Sequence, residues 1–552
     1  MKKYIILGAA ALVFSMTSCD ELLDKEPLDK FADTPAYWNN ADNLANQCNS
    51  FYSKYSGYDG WYYFKNLSDD QAGEAFVNWT YTNVPAADAT WNNAFTTIRH
   101  ANIIIQGAQG STLDDKVKNN YIGIARLNRA WQYYQLVRMY GDVQYIDWVM
   151  DIDDERLYAA RDDRDVVIDK VMEDLDFAAT NITDAGKKVF SSDMALALKA
   201  EVALYEGTFC KYRTQADNGK AADATRAKKY FELCVNACDK LMGKGYDLND
   251  SYQANYNSDN LDGNPEMIFF KQYAVNTYMH SVIDYTLNTS GTHGITKDAF
   301  DSFLFTDGKP VATTSFDTND AVAADGSLAE VLKNRDKRLA VLVDPVVAVK
   351  GQPYSRGGSA GFTSSTGYGV AKYDDPEHIA LSDRNSIARQ ATDAPLFWYS
   401  VVLLEYAEAK AELGTITQGD LDKTVNRLLG RAGVAAMTLT PAADPANDMN
   451  VSNLLWEIRR CRRCELMCDN WYRYWDLIRW HQLDKLDNSK NPDIALGANL
   501  KNMTDHGQTV NAEGYMETYF GNVRKFEAKH YLYPVPSGQR TLNPQLSQNP
   551  GW

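Results

Sequence analysis

The sequence predicts a mainly α protein: a scaffold of paired helices interrupted by one long, loop-rich insertion that carries short strands. Three observations lead there. Apolar residues recur at helical spacing through much of 34–242 and again over 396–552, but only intermittently over 243–395. Strand-like runs are few. Small residues such as Ala125, Ala130, Ala200, Ala203 and Ala407 stand on the periodic segments, where partner helices would pack closely. This alternation is loosely that of tetratricopeptide-like helix hairpins, although no strict period repeats.

Taken in order, the periodicity predicts a helix over 34–55, then a stretch over 57–89 rich in aromatics and small polar residues. Helices follow at 91–106, 116–140, 165–179, 193–212 and 223–242. Within the insertion, Met267-Ile268-Phe269-Phe270 and residues 341–349 are apolar runs of strand character, and Ser355-Arg356-Gly357-Gly358-Ser359 is typical of its loops. Connections that long are usually functional or disordered. Helices return at 396–413, 420–432 and 454–480, before a tail rich in Pro, Gly and Asn.

The first residues predict an export signal. Lys2 and Lys3 are basic, Tyr4 to Met16 carries no charge, and Thr17-Ser18-Cys19 is a small-residue exit. The cysteine gives this the look of a bacterial lipoprotein signal, cut before Cys19 and lipidated there. The expected organisation is a signal peptide over 1–18, a lipid-anchored tether over 19–33 and a single α domain over 34–552. No other stretch approaches the ~20 apolar residues of a spanning helix.

The net charge of −17 is spread without a basic block, which argues against nucleic acid as a partner and against docking on anionic lipid. Besides Cys19 there are cysteines at 48, 210, 234, 238, 461, 464 and 468, too few and too clustered for a disulfide framework. Cys461, Cys464 and Cys468 fall on one helical face, where packing as small apolar residues is expected rather than a metal site.

Catalytic motifs are missing: there is no P-loop, dinucleotide loop, GxSxG elbow or HExxH helix. No cofactor or metal is expected, and no enzyme. Binding has more support. The first polar segment holds Trp61, Asp69, Asp70, Trp79 and Tyr81; the insertion holds Tyr273, Tyr278, His280, Tyr285, His293, Tyr354, Arg356 and Tyr368. Sugars offer C–H faces that stack on rings and hydroxyls that need polar partners, and aromatics edged with Asp, Asn and Arg meet both needs. Trp61, Trp79 and Tyr81 are expected to form one wall, with Tyr273, Tyr278 and Tyr285 facing them. Trp131, Trp471, Trp475 and Trp480 are assigned to the core.

Several segments, in colinear order, resemble the SusD/RagB nutrient-binding lipoproteins. Arg129-Ala130-Trp131-Gln132-Tyr133-Tyr134 leading to Tyr140-Gly141-Asp142-Val143 resembles that family's early helix and exit turn. Leu403-Leu404-Glu405-Tyr406-Ala407-Glu408-Ala409 and Arg431-Ala432-Gly433 follow. Arg462-Arg463-Cys464-Glu465-Leu466, with Arg473-Tyr474-Trp475-Asp476-Leu477-Ile478-Arg479-Trp480, resembles its most specific block, and Gln548-Asn549-Pro550-Gly551-Trp552 its ending. The resemblance implies a surface-exposed outer-membrane lipoprotein that captures oligosaccharide. It also implies a SusC-like TonB-dependent transporter as partner. Peptide as ligand, or a helical scaffold that binds only protein, are the alternatives.

Overall fold

The computed structural model describes residues 34–58, 68–72, 83–287, 294–349, 364–469, 472–518 and 523–552. Helix α1 (Ala41–Asn49) starts after Asn40, whose side chain accepts the Asp42 N–H, and runs into a 3₁₀ turn (Ser50–Lys54). The long helices are α2 (Ala89–Gly110), α3 (Asp115–Tyr140), α4 (Arg164–Asn181), α5 (Ser192–Tyr212) and α6 (Ala224–Met242). Each begins at a side-chain oxygen that accepts a first-turn N–H: Asp88, Asp114, Asp163, Ser191 and Asp223. Such caps satisfy donors that a helix start leaves bare, typically for ~1 kcal/mol each.

From α2 to α6 each helix packs on the next. Helix α6 then meets α7 (Tyr399–Glu412), which lies beyond the insertion. Helix α7 packs on α8 (Asn453–Glu465), and α9 (Tyr472–Arg479) returns to α5. The hairpin array predicted from the periodicity is therefore present, with its halves on either side of the insertion. Two glycines set its tight points. A Cβ at Gly207 would lie 2.7 Å from the Phe231 ring, so α5 and α6 approach through a missing side chain. Gly141 ends α3 at φ +72, a backbone turn that other residues adopt only with strain.

Several boundaries differ from the sequence reading. Residues Ala394–Trp398 form strand β4 instead of opening a helix, because they pair antiparallel with β2 (Met267–Lys271) in the buried interior. The segment 420–432 is two short helices, Gln418–Lys423 and Val425–Arg431, broken where Thr424 takes φ −125 and ψ −98. The segment 454–480 splits as well: α8 ends at Glu465, and Cys468 beyond it adopts φ +67, off the helical face expected for it. Residues 341–349 are not a strand. Asp336 caps a helix over Lys337–Leu342, and the following valines make only single bridges, Val343 to Val370 and Val346 to Ser327.

The insertion is more than loop. Tyr252, Tyr256, Phe300, Tyr368 and Val370 form a second apolar core, joined by Met503 and Met516 from the C-terminal part of the chain. That part adds the antiparallel strands β5 (Leu496–Asn499) and β6 (Tyr515–Glu517). Strand β1 (Gln71–Ala72) pairs with β3 (Gly294–Ile295), tying the first polar segment to the insertion. Cysteines 48, 210, 234, 238, 461, 464 and 468 are buried and unpaired. No described helix is long and apolar enough to cross a membrane.

Candidate functional site

The first polar segment is held at its middle by buried charge. Arg473 on α9 donates from Nε and Nη2 to the two carboxylate oxygens of Asp69, both at 2.7 Å. Arg463 on α8 donates from Nε to Asp70 at 2.7 Å and from Nη2 to Asp298 at 2.5 Å. The Thr296 hydroxyl and N–H donate to the Asp69 and Asp70 carbonyls, at 2.7 and 3.0 Å. Burial alone would raise the Asp69 carboxyl, but Arg463 and then Arg473 outweigh it and hold the group below its ordinary range. Asp69 and Asp70 are 1% and 0% exposed. They were expected at the edge of a ligand platform; instead they fasten the segment to the scaffold, because two guanidiniums hundreds of residues away claim their carboxylates.

At the start of that segment, Tyr58 packs against the insertion. Its ring lies parallel to Tyr273, with centroids 6.5 Å apart, and edge-on to His280 at 5.1 Å. Tyr273 in turn stacks on Tyr278, centroids 5.1 Å apart and planes within 5°. A tight turn makes this stack: the N–H and C=O of Ala274 and Tyr278 bond each other at 2.8 and 2.9 Å, with Asn276 in the left-handed region at φ 61. Tyr273 is buried beneath, whereas Tyr278 is 42% exposed. Lys271 Nζ lies 5.1 Å from the Tyr278 centroid.

The other expected residues divide. His280 is buried: Nε2 donates to the Thr392 carbonyl at 2.9 Å and Nδ1 accepts the Val282 N–H at 3.3 Å, so the ring bridges backbone instead of facing a ligand. Tyr285 is half-buried in the short helix Val282–Leu287. Tyr368 is buried against Phe300 in the second core. Cys19, Trp61, Trp79, Tyr81, His293, Tyr354, Arg356 and Trp471 lie outside the described residues.

A cleft of about 700 Å³ opens in the helical scaffold itself, bounded by α2, α3, α5, α7, α8, α9 and β4. Trp475 belongs to the apolar core, as its motif implies, and half-buried Trp131 packs against that core; both also border this cleft, with Phe397 and Tyr205. Arg138 lies 4.3 Å above the Trp475 ring. The sequence reading did not single out this cleft, because it assigned the tryptophans of these motifs to the core. The available signal was polar residues on otherwise apolar faces: Gln135 in α3 and Glu405 among the leucines of α7. Elsewhere, Asp165, Glu206 and Cys210 bring three potential ligand atoms together, but Arg164, Arg213 and Arg226 already neutralise the two carboxylates through ion pairs.

Residues 239–552 match the SusD family, and residues 34–202 match a family described as starch-binding associating with outer membrane. The chain belongs to the SusD family. It spans about half the length of the curated relatives it matches. A SusD-like protein of Bacteroides ovatus is 23% identical over 312 residues, 53% of this chain and 54% of that protein. A SusD-like protein of Formosa agariphila is 23% identical over 273 residues, 45% of this chain and 49% of its own. Among solved structures, a SusD-like carbohydrate binding protein from Bacteroides fragilis superposes with a TM-score of 0.70 at 20% identity, over 93% of this chain and all of that one. A laminarin binding SusD-like protein superposes with a TM-score of 0.56 at 16% identity, over 93% of this chain and 99% of its own.

Proposed function

We propose that this chain is a surface-exposed, lipid-anchored glycan-binding protein of the outer membrane. It captures oligosaccharide and delivers it to a partner TonB-dependent transporter. The observation that carries the glycan reading is the exposed Tyr278 ring stacked on buried Tyr273, at the point where the first polar segment meets the insertion. A flat ring fixed from behind matches the C–H face of a sugar and loses little entropy on binding. The carbohydrate binding named for a similar structure supports the same class, and the outer-membrane association named for the family matching 34–202 supports the location. Cys19 supplies the anchor, Trp61, Trp79 and Tyr81 the opposite wall, and the protein binds without turning its ligand over.

Calorimetry with soluble starch, laminarin and oligosaccharides tests the reading. Tyr278→Ala and Trp79→Ala each weaken binding by about 1–3 kcal/mol, as desolvated aromatic anchors do, with melting temperature nearly unchanged. Normal binding in both variants, or a loss of several degrees in both, rejects this site. Release of shortened product that one Asp or Glu substitution abolishes rejects the non-catalytic assignment.

A further inference from the structure

The scaffold cleft holds polar atoms with nothing to bind. The hydroxyls of Tyr55 and Tyr205, Gln135 Nε2, Glu405 Oε1 and Arg462 Nη1 are all buried without a hydrogen-bond partner, and all five residues line it. Tyr55, Tyr205, Glu405 and Arg462 are 4%, 3%, 1% and 3% exposed. Buried polar groups are ordinarily satisfied, and each orphan costs about 1–3 kcal/mol, so five around one opening mark a place built to receive hydrogen bonds.

The kind of guest follows from the walls. The orphans include donors and an acceptor, so a group that both donates and accepts is required. The lining arginines are already paired. Arg138 faces Glu201 at 3.8 Å, Arg462 binds Asp476 at 2.9 Å, and Arg479 binds Glu408 at 2.7 Å. Burial raises the Glu405 carboxyl well above its ordinary range, Arg462 opposing. The lining arginines are thus committed to carboxylates, and Lys54, exposed at the rim, is the remaining lining cation. The aromatic faces, with Tyr55 stacked on Trp131 at 5.5 Å, serve a guest with an apolar face, which water lacks. The volume lies in the ~300–1,000 Å³ range of small-molecule pockets.

We infer that this cleft is a second ligand pocket, separate from the Tyr278 platform, that takes a neutral sugar of one or two units. Tyr55, Gln135, Tyr205, Glu405 and Arg462 meet its hydroxyls, and Trp131 and Trp475 flank it. The choice of sugar as guest rests on the proposed function; the existence of a pocket for a neutral polyol does not.

Saturation-transfer NMR and calorimetry on the purified full chain in detergent, with neutral hexoses, pentoses and their disaccharides, test it. Inorganic phosphate serves as the anionic control. At least one neutral sugar binds, phosphate does not compete, and the Tyr55→Phe/Tyr205→Phe double variant weakens that sugar by about tenfold or more. The variant's melting temperature stays level or rises, since only orphan hydroxyls are removed. Absence of small-sugar binding in protein that still binds a glycan polymer overturns the pocket and spares the proposed function. Small-sugar binding equal in wild type and double variant, or abolished by Tyr278→Ala, also overturns it. Small-sugar binding that needs the two hydroxyls, without any polymer binding, keeps the pocket and rejects the surface platform.

Discussion

Asp69 and Arg473 are 404 residues apart in sequence, yet they meet in a two-pronged pair with both contacts at 2.7 Å. The pair is buried, so its two members are worth far more together than either is alone. Asp69→Ala leaves the buried Arg473 guanidinium without its two-pronged partner, with only Asp70 at 4.0 Å, and destabilises the fold by about 3–5 kcal/mol. Urea titration of the variant reads this directly. A loss under ~1 kcal/mol contradicts the assigned role.

Asp70 gives a pH dependence of definite sign. Burial, opposed by Arg463 and reinforced by Asp69, pushes its carboxyl up to about 6 from 3.8. Between those values the folded state holds more protons than the unfolded state, so this group's contribution falls as pH rises through the window. Asp70→Asn removes that slope, because an amide does not titrate. Denaturation midpoints of the two proteins measured from pH 4 to 7 converge toward the acid end and separate toward neutrality, with the variant relatively more stable at pH 7.

Gly207 and Gly430 make a matched pair of alanine substitutions. At Gly207 the new Cβ meets the Phe231 ring at 2.7 Å, and overpacking costs about 1–3 kcal/mol. At Gly430, inside the helix Val425–Arg431, nothing lies within 4 Å. Alanine there is neutral or stabilises by ~0.4–1 kcal/mol through the unfolded chain. Thermal melts of both variants decide whether α5 and α6 approach as closely as described.

Cys19→Ala tests the anchor. The variant either leaves the membrane fraction or retains its leader uncut, which fractionation and intact mass distinguish. A processed variant that stays on membranes lacking the partner transporter removes Cys19 as the anchor.

Much of the scaffold was legible because amphipathic period and helix length are local properties. The limits of α3 and α5 lie within a residue of the periodic segments that announced them. What escaped depends on distant partners or on single dihedrals. Leu396-Phe397-Trp398 and the apolar residues after Tyr399 look alike in composition, and only β2, far upstream, makes the first a strand. The breaks at Thr424 and Cys468 are backbone angles with no composition signal. In the site, Tyr278 stood out as an aromatic outside the periodic helices. Burial of Asp69, Asp70 and His280 was set by Arg473, Arg463 and Thr392, none of them near in sequence. Gln135 and Glu405 were hidden by the motifs around them.

Asn549 carries one more consequence. Its side-chain amide donates to the carbonyls of Tyr140 at 2.9 Å and Tyr533 at 2.7 Å, while its oxygen accepts from Arg161 at 2.9 Å. The joint between α3 and α4 is thus latched by a residue near the end of the chain. A polypeptide that emerges amino end first can form its early hairpins at once, but it cannot lock them until residue 549 arrives.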